Sequence, residues 1–209
     1  MTIHEPVTLA TDYLLAAVAV GLAGRLHRRV SPAQRAARWW VWTFALIATS
    51  AFVGGSYHGF APNLPAGVLE LWWLVTLWLV SFISAAMATS WLHEVIHPAW
   101  RQTCLVLVVV RLLAFAAFAA NRPQFSVVIL DYGSSLLLWL GAAFILRRGW
   151  SGWMFAAIAL SVVAALVQQL HLAPSVHFNH NDLYHVIQAL GLAAFYRAAL
   201  RLAPTPSSL

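Results

Sequence analysis

The chain has 209 residues, 62% of them hydrophobic and only 9% charged, with a mean hydropathy of +0.77 and a formal net charge of +6. That balance excludes a soluble globular domain and marks an integral membrane protein. All twelve basic residues are arginines spread along loops, which excludes the basic, aromatic-lined groove of a nucleic-acid binder.

A bilayer-spanning helix needs about 20 apolar residues. Seven runs reach that length, at roughly 8–24, 38–57, 66–92, 102–120, 124–146, 152–171 and 182–202. Short connections and the lack of repeats or linkers predict one all-α, seven-transmembrane-helix bundle over 1–209. Segment one is preceded by His4 and Glu5 rather than a basic stretch, so it reads as a retained helix and not a cleaved leader. Arg25, Arg28, Arg29, Arg35 and Arg38 lie between segments one and two. Segment two ends Gly54-Gly-Ser56-Tyr-His58, where paired glycines allow a helix or ligand close approach.

Segment three carries Glu70 about one turn from its start and ends in His93-Glu94-Val-Ile-His97, before Arg101. Arg111 lies inside segment four, and Arg122 follows it. Segment five places Asp131 two turns deep, about 10 Å at 1.5 Å per residue. Asp131 either neutralises Arg111 on the adjacent antiparallel helix or serves chemistry. Arg147 and Arg148 precede segment six, which ends at His171. The stretch His177-Phe-Asn-His180-Asn181-Asp182-Leu-Tyr-His185 leads into segment seven. Asn181 or Asp182 is the expected N-cap, with His185 in the first turn and His180 just before the helix. Residues i and i+5 share a helix face poorly, so His180 and His185 act together only if the helix start is bent. His171 and His177 read as loop residues, and Asp182 as a cap. The tail Pro204-Thr-Pro-Ser-Ser reads as frayed.

Ten arginines fall on one side, Arg122 alone on the other, so the positive-inside rule puts the N-terminus outside and the C-terminus in the cytoplasm. The expected location is a bacterial inner membrane, with the outer face towards the periplasm. His4, His58, His171, His177, His180 and His185 fall on that outer face, with Glu5, Asp12, Glu70, Asp131 and Asp182 in the outer half; Glu94 alone is inside. Single Cys104 excludes an intramolecular disulfide and a cysteine zinc site. Trp39, Trp40, Trp42, Trp91, Trp100, Trp150 and Trp153 sit near segment ends and read as interfacial anchors.

Titratable histidines at membrane depth are costly and point to a purpose. Imidazole is the commonest metal ligand, and three imidazoles from two distant helices suit an open Zn2+ site. His58, His180 and His185 are the candidate ligands.

In its seven helices and their order the chain resembles the CREST superfamily of seven-helix membrane hydrolases, the group of the alkaline ceramidases and the adiponectin and progestin receptors. That family carries Ser-x-x-x-His at the end of helix two, Asp at the start of helix three and His-x-x-x-His at the start of helix seven. His58 falls on the helix-two histidine, and His185 on the second helix-seven histidine. Here Gly54 stands where the family has serine, with Ser56 two before His58. Glu70 stands for the family's Asp, and Asn181 for its first helix-seven histidine, with His180 one residue earlier.

The resemblance implies a zinc-dependent hydrolase of a membrane lipid amide or ester, acting at the outer leaflet. Zinc on His58, His180 and His185 would activate a water, Glu70 or Asp131 would take its proton, and Ser56 would hydrogen-bond the oxyanion. Were His177 a fourth ligand, the site would be closed, as in a non-catalytic ligand-binding or sensory protein with a structural metal.

A third reading takes His93, Glu94 and His97 as the HExxH signature of an intramembrane metalloprotease, with Asp131 as a third ligand. Topology opposes it: the motif lies at the cytoplasmic end and Asp131 in the outer half, over ~10 Å apart in a ~30 Å core. Pro98 also ends the helix. Channels and transporters should show broken helices or polar pore stripes, and neither is evident.

Overall fold

The computed structural model describes residues 2–202, so the Pro204 tail lies outside the described residues. Seven α-helices make up most of the described residues: α1 Pro6–His27, α2 Arg35–Phe60, α3 Ala66–Val95, α4 Arg101–Asn121, α5 Phe125–Leu146, α6 Ser151–Gln169 and α7 His180–Ala199. Short 3₁₀ turns at Ala61–Asn63 and Pro98–Trp100 join α2 to α3 and α3 to α4. The first six helices are long and apolar enough to cross a membrane. The seventh is richer in polar residues, among them His180, Asn181, Asp182, His185 and Gln188, but its 20 residues give about 30 Å of length.

The helix ends follow from their sequences. Pro6 opens α1, where its missing N–H costs nothing. Pro98 forces His97 out of the helical region, so α3 stops at Val95. At the start of α7 the cap is Asn179, two to three residues earlier than the sequence reading placed it. The Asn179 side chain accepts from the Asn181 and Asp182 amides, and the Asp182 carboxylate accepts from the Asn179 amide at 2.7 Å. This reciprocal capping box brings His180 inside the helix as its first residue.

Six helices close a ring: α1 packs on α2 and α7, α2 on α3, α3 on α5, α5 on α6 and α6 on α7. Helix α4 stands outside, packed chiefly on α3, and buries little beyond Ala119. At the arginine-rich end the ring is filled by aromatic side chains. Trp40 stacks on Phe195 at 4.8 Å, and Trp139 meets Trp150 edge-on at 5.4 Å. Trp40 and Trp150, expected as interfacial anchors, are thus core residues, because a ring centre needs large side chains to fill it. At the other end the centre is open.

Candidate ligand cavity

The opening is a cavity of about 530 Å³ to which all six ring helices contribute and α4 does not. Its deeper walls are apolar, with Leu15, Ile47, Ile83, Leu136 and Leu192 among them. Polar groups gather towards the end where α2 finishes and α7 begins: His58, His180, Asn181, Tyr184, His185 and Asp12. No arginine lines it.

Two carboxylate–histidine pairs stand at that end. His185 Nε2 lies 3.1 Å from Asp12 Oδ1, and both side chains are nearly buried. The other ring nitrogen of His185 is 3.0 Å from Thr11 Oγ1, which also donates to the Thr8 carbonyl at 3.0 Å. His58 Nδ1 lies 2.9 Å from Glu5 Oε2 in a half-open setting. The chain places these pairs by close packing. A Cβ on Gly55 would stand 2.6 Å from Asp12 Cβ, and one on Gly59 would stand 2.9 Å from Leu9 Cδ2. Only bare backbone on α2 lets α1 come so near. The His4 amide donates to the Gly59 carbonyl at 3.1 Å, holding Glu5 beside His58.

The expected site residues divide. His58, His180 and His185 all line the cavity. The His180 ring lies 4.6 Å from that of exposed His171, tilted by 54°, while His177 is exposed in the loop. Ser56 does not line it; its hydroxyl donates to the Phe52 carbonyl at 2.8 Å and lies 2.9 Å from the Tyr13 hydroxyl. Glu70 is exposed on α3 and Asp131 is buried between helices, and neither lines the cavity.

Asp131 instead has the geometry of a counter-ion for Arg111. Arg111 Nη2 lies 3.5 Å from Asp131 Oδ1 and donates to Ser84 Oγ at 2.8 Å and Ser135 Oγ at 3.0 Å. Ser84 Oγ–H donates to Asp131 at 2.9 Å, and Arg111 Nη1 to Ser134 Oγ at 3.0 Å. The set bolts α4 onto α3 and α5 and pairs charges that lipid would penalise, while Asp131 Oδ2 and Arg111 Nε have no partner among the described residues.

The HExxH stretch lies at the far end. His93 is in the last turn of α3, and His97 lies beyond the helix, accepting from the Ala99 amide. The two histidines therefore do not share a helical face. Glu94 accepts from Arg148 Nη1 at 2.6 Å and from the Trp150 indole at 3.1 Å.

The residues do not fit a three-histidine zinc site in this arrangement. Both ring nitrogens of His185 face protein partners. Among the described residues, no three His, Cys, Asp or Glu side chains converge to ligating distance. Glu5 and Asp12 are grouped with the outer-half carboxylates in the sequence but not picked as site residues, and Thr11 is not picked out at all. Asp12 carried a signal, since a carboxylate inside an apolar segment points to a site by itself. Nothing in the sequence shows that α1 lies against α7.

The fold is all-helical, with six helices long and apolar enough to cross a membrane, and it encloses a chamber that is apolar at depth and polar at one end. The chain belongs to a family of unknown function, DUF6962, whose model matches residues 7–204. No curated protein and no solved structure matches it.

Proposed function

We propose that the protein spans the membrane seven times, N-terminus outside and C-terminus cytoplasmic, and binds an amphipathic molecule in the ring cavity. The arginine segregation supports the orientation. The observation that carries the binding reading is the cavity itself, apolar at depth and hydrogen-bonding at one end. Its volume of about 530 Å³ lies within the range of about 300–1,000 Å³ that small-molecule sites occupy. An apolar chain fits against Leu15, Ile83, Leu136 and Leu192, and a polar head meets His58, His185 and Asp12. Lipid-like compounds reach such a site from the bilayer. The reading is that of a ligand-binding or sensory membrane protein.

Gly54 provides the test. It lines the cavity, and a Cβ built there meets only Thr76 Cγ2, at 3.8 Å. A leucine at that position would project into the space without breaking helix packing. Wild-type protein purified in mild detergent is expected to release an apolar compound on solvent extraction, detected by mass spectrometry. Gly54→Leu is expected to melt at the same temperature and to release much less. Equal release from both proteins overturns the reading.

A second reading is zinc-dependent hydrolysis of a lipid amide or ester, with Glu70 or Asp131 as base. Its support is that His58, His180 and His185 face one cavity, with carboxylates beside two of them, as metal-bound imidazoles often have. The misfit of His185 and the positions of Glu70 and Asp131 weigh against it, so no step through a metal is derived. Stoichiometric zinc in purified wild type that is lost in His58→Ala and His185→Ala, but kept in His93→Ala, would favour it over both the binding and the protease readings.

A further inference from the structure

A second hollow lies at the arginine-rich end, at the turn between α5 and α6. It is open-sided, about 360 Å³, and bounded by Phe144, Arg147, Arg148, Ser151, Gly152 and Phe155, with Ala143 beneath. Arg147 ends α5 in the left-handed conformation, with φ 45° and ψ 43°. A side chain is strained there. The sharp turn lets α6 begin at Ser151 and sets two guanidinium groups beside the new helix N-terminus.

No side chain caps that terminus, and no acidic residue occupies its first turn. The Ser151 amide donates to the Arg148 carbonyl at 2.8 Å, but the Gly152 and Trp153 amides have no acceptor among the described residues. Independently, Ser151 is only 5% exposed and lines the hollow, and its buried Oγ has no hydrogen-bond partner among the described residues. A buried hydroxyl is rarely left so.

The charges facing the hollow are unequal. Arg148 spends Nη1 on Glu94, whose carboxylate is buried behind it. Arg147 has no carboxylate partner among the described residues, and uses Nε alone on the Phe144 carbonyl at 3.3 Å. The net charge at the rim is positive. The apolar wall is the Phe144–Phe155 edge-to-face pair at 4.7 Å, with Phe144 largely exposed on the outer surface of the bundle.

We propose that this hollow binds the phosphate of an anionic phospholipid from the leaflet on the arginine-rich side. Free amides at a helix N-terminus, a partnerless hydroxyl and guanidinium groups are the donors that a phosphate oxygen set satisfies. The exposed phenyl surface beside them continues towards the bilayer and suits an acyl chain. Basic pockets between helices at the cytoplasmic surface hold lipid headgroups in this way.

The test is native mass spectrometry of the full protein, equilibrated with equal amounts of phosphatidylglycerol and phosphatidylcholine. Wild type is expected to retain one phosphatidylglycerol in preference. Arg147→Gly should lower that preference about tenfold, the size of a lost charge-assisted hydrogen bond. It should also melt no lower than wild type, since glycine suits the backbone there. Ser151→Ala should lower it several-fold. Arg28→Gln removes a charge outside the hollow and should leave it unchanged. The proposal is overturned if wild type shows no preference, or if Arg28→Gln acts as strongly as Arg147→Gly. It is also overturned if phosphorus NMR finds Ser151-dependent binding of inorganic phosphate that displaces the lipid, which would make free phosphate the ligand.

Discussion

The two halves of the ring are built from similar helices and filled differently. Towards the arginine-rich end, Trp40, Phe44, Trp139, Trp150 and Phe195 are almost fully buried and interlock at the bundle axis. Towards the histidine end, the axis is empty from Leu136 and Leu192 up to His58 and His185. Within lipid, helices gain little from hiding apolar surface, so packing alone decides what is filled. The contrast separates a half packed solid from a half that holds the cavity.

The largest expected effect comes from unplugging the filled half. Trp139→Ala removes a buried indole and its hydrogen bond to the Met87 carbonyl, and should cost about 3–5 kcal/mol. Leu136→Ala, one turn away on the cavity wall, should cost less than about 2 kcal/mol because it enlarges a space already present. Thermal melts in detergent compare the two, and equal losses would remove the distinction between the halves.

Of comparable size is the effect of the polar bolt outside the ring. Asp131→Asn leaves Arg111 without its counter-charge and should cost about 3–5 kcal/mol. Adding Arg111→Leu should restore most of it. Ligand retention by the double variant should equal that of wild type, since neither residue lines the cavity. If a lipid-amide hydrolysis exists and vanishes in a stable double variant, Asp131 belongs to the chemistry after all.

The smallest effect concerns the half that holds the cavity. Gly55→Ala must push α1 away from α2 and should cost about 1–3 kcal/mol. Because the added methyl meets Asp12, it should also separate Asp12 from His185 and weaken ligand retention more than stability. A variant that melts lower and binds normally would detach the pair from the site.

Sequence alone carried the seven helical segments, since length and hydropathy suffice for those. It also carried the clustering of His58, His180 and His185, and the option that Asp131 answers Arg111. It did not carry the ring. In a membrane a leucine facing lipid and a leucine facing a cavity are chemically alike, so Ile83 or Leu136 gives no sign of the space beside it. Helix α4 illustrates the converse: it is the most apolar of the candidate spans and the least buried, because lipid exposure selects uniform hydrophobicity. The cap of α7 was misplaced because Asn179, Asn181 and Asp182 are all competent, and only packing against Thr8 distinguishes Asn179, whose Nδ2 donates to that hydroxyl at 3.2 Å.

The contact between the first and last helices sets a timetable for biogenesis. Thr11 and His185 are 174 residues apart, and the seam between them is what closes the ring. At about 5–20 residues per second, a ribosome needs on the order of 10–30 s to bridge that gap. Throughout that interval Asp12 lies on an apolar helix without the imidazole it meets in the finished ring. The chamber therefore comes into being only once α7 has been made. A chain cut short before α7 would display an unanswered carboxyl, a mark by which membrane quality control can recognise it as unfinished.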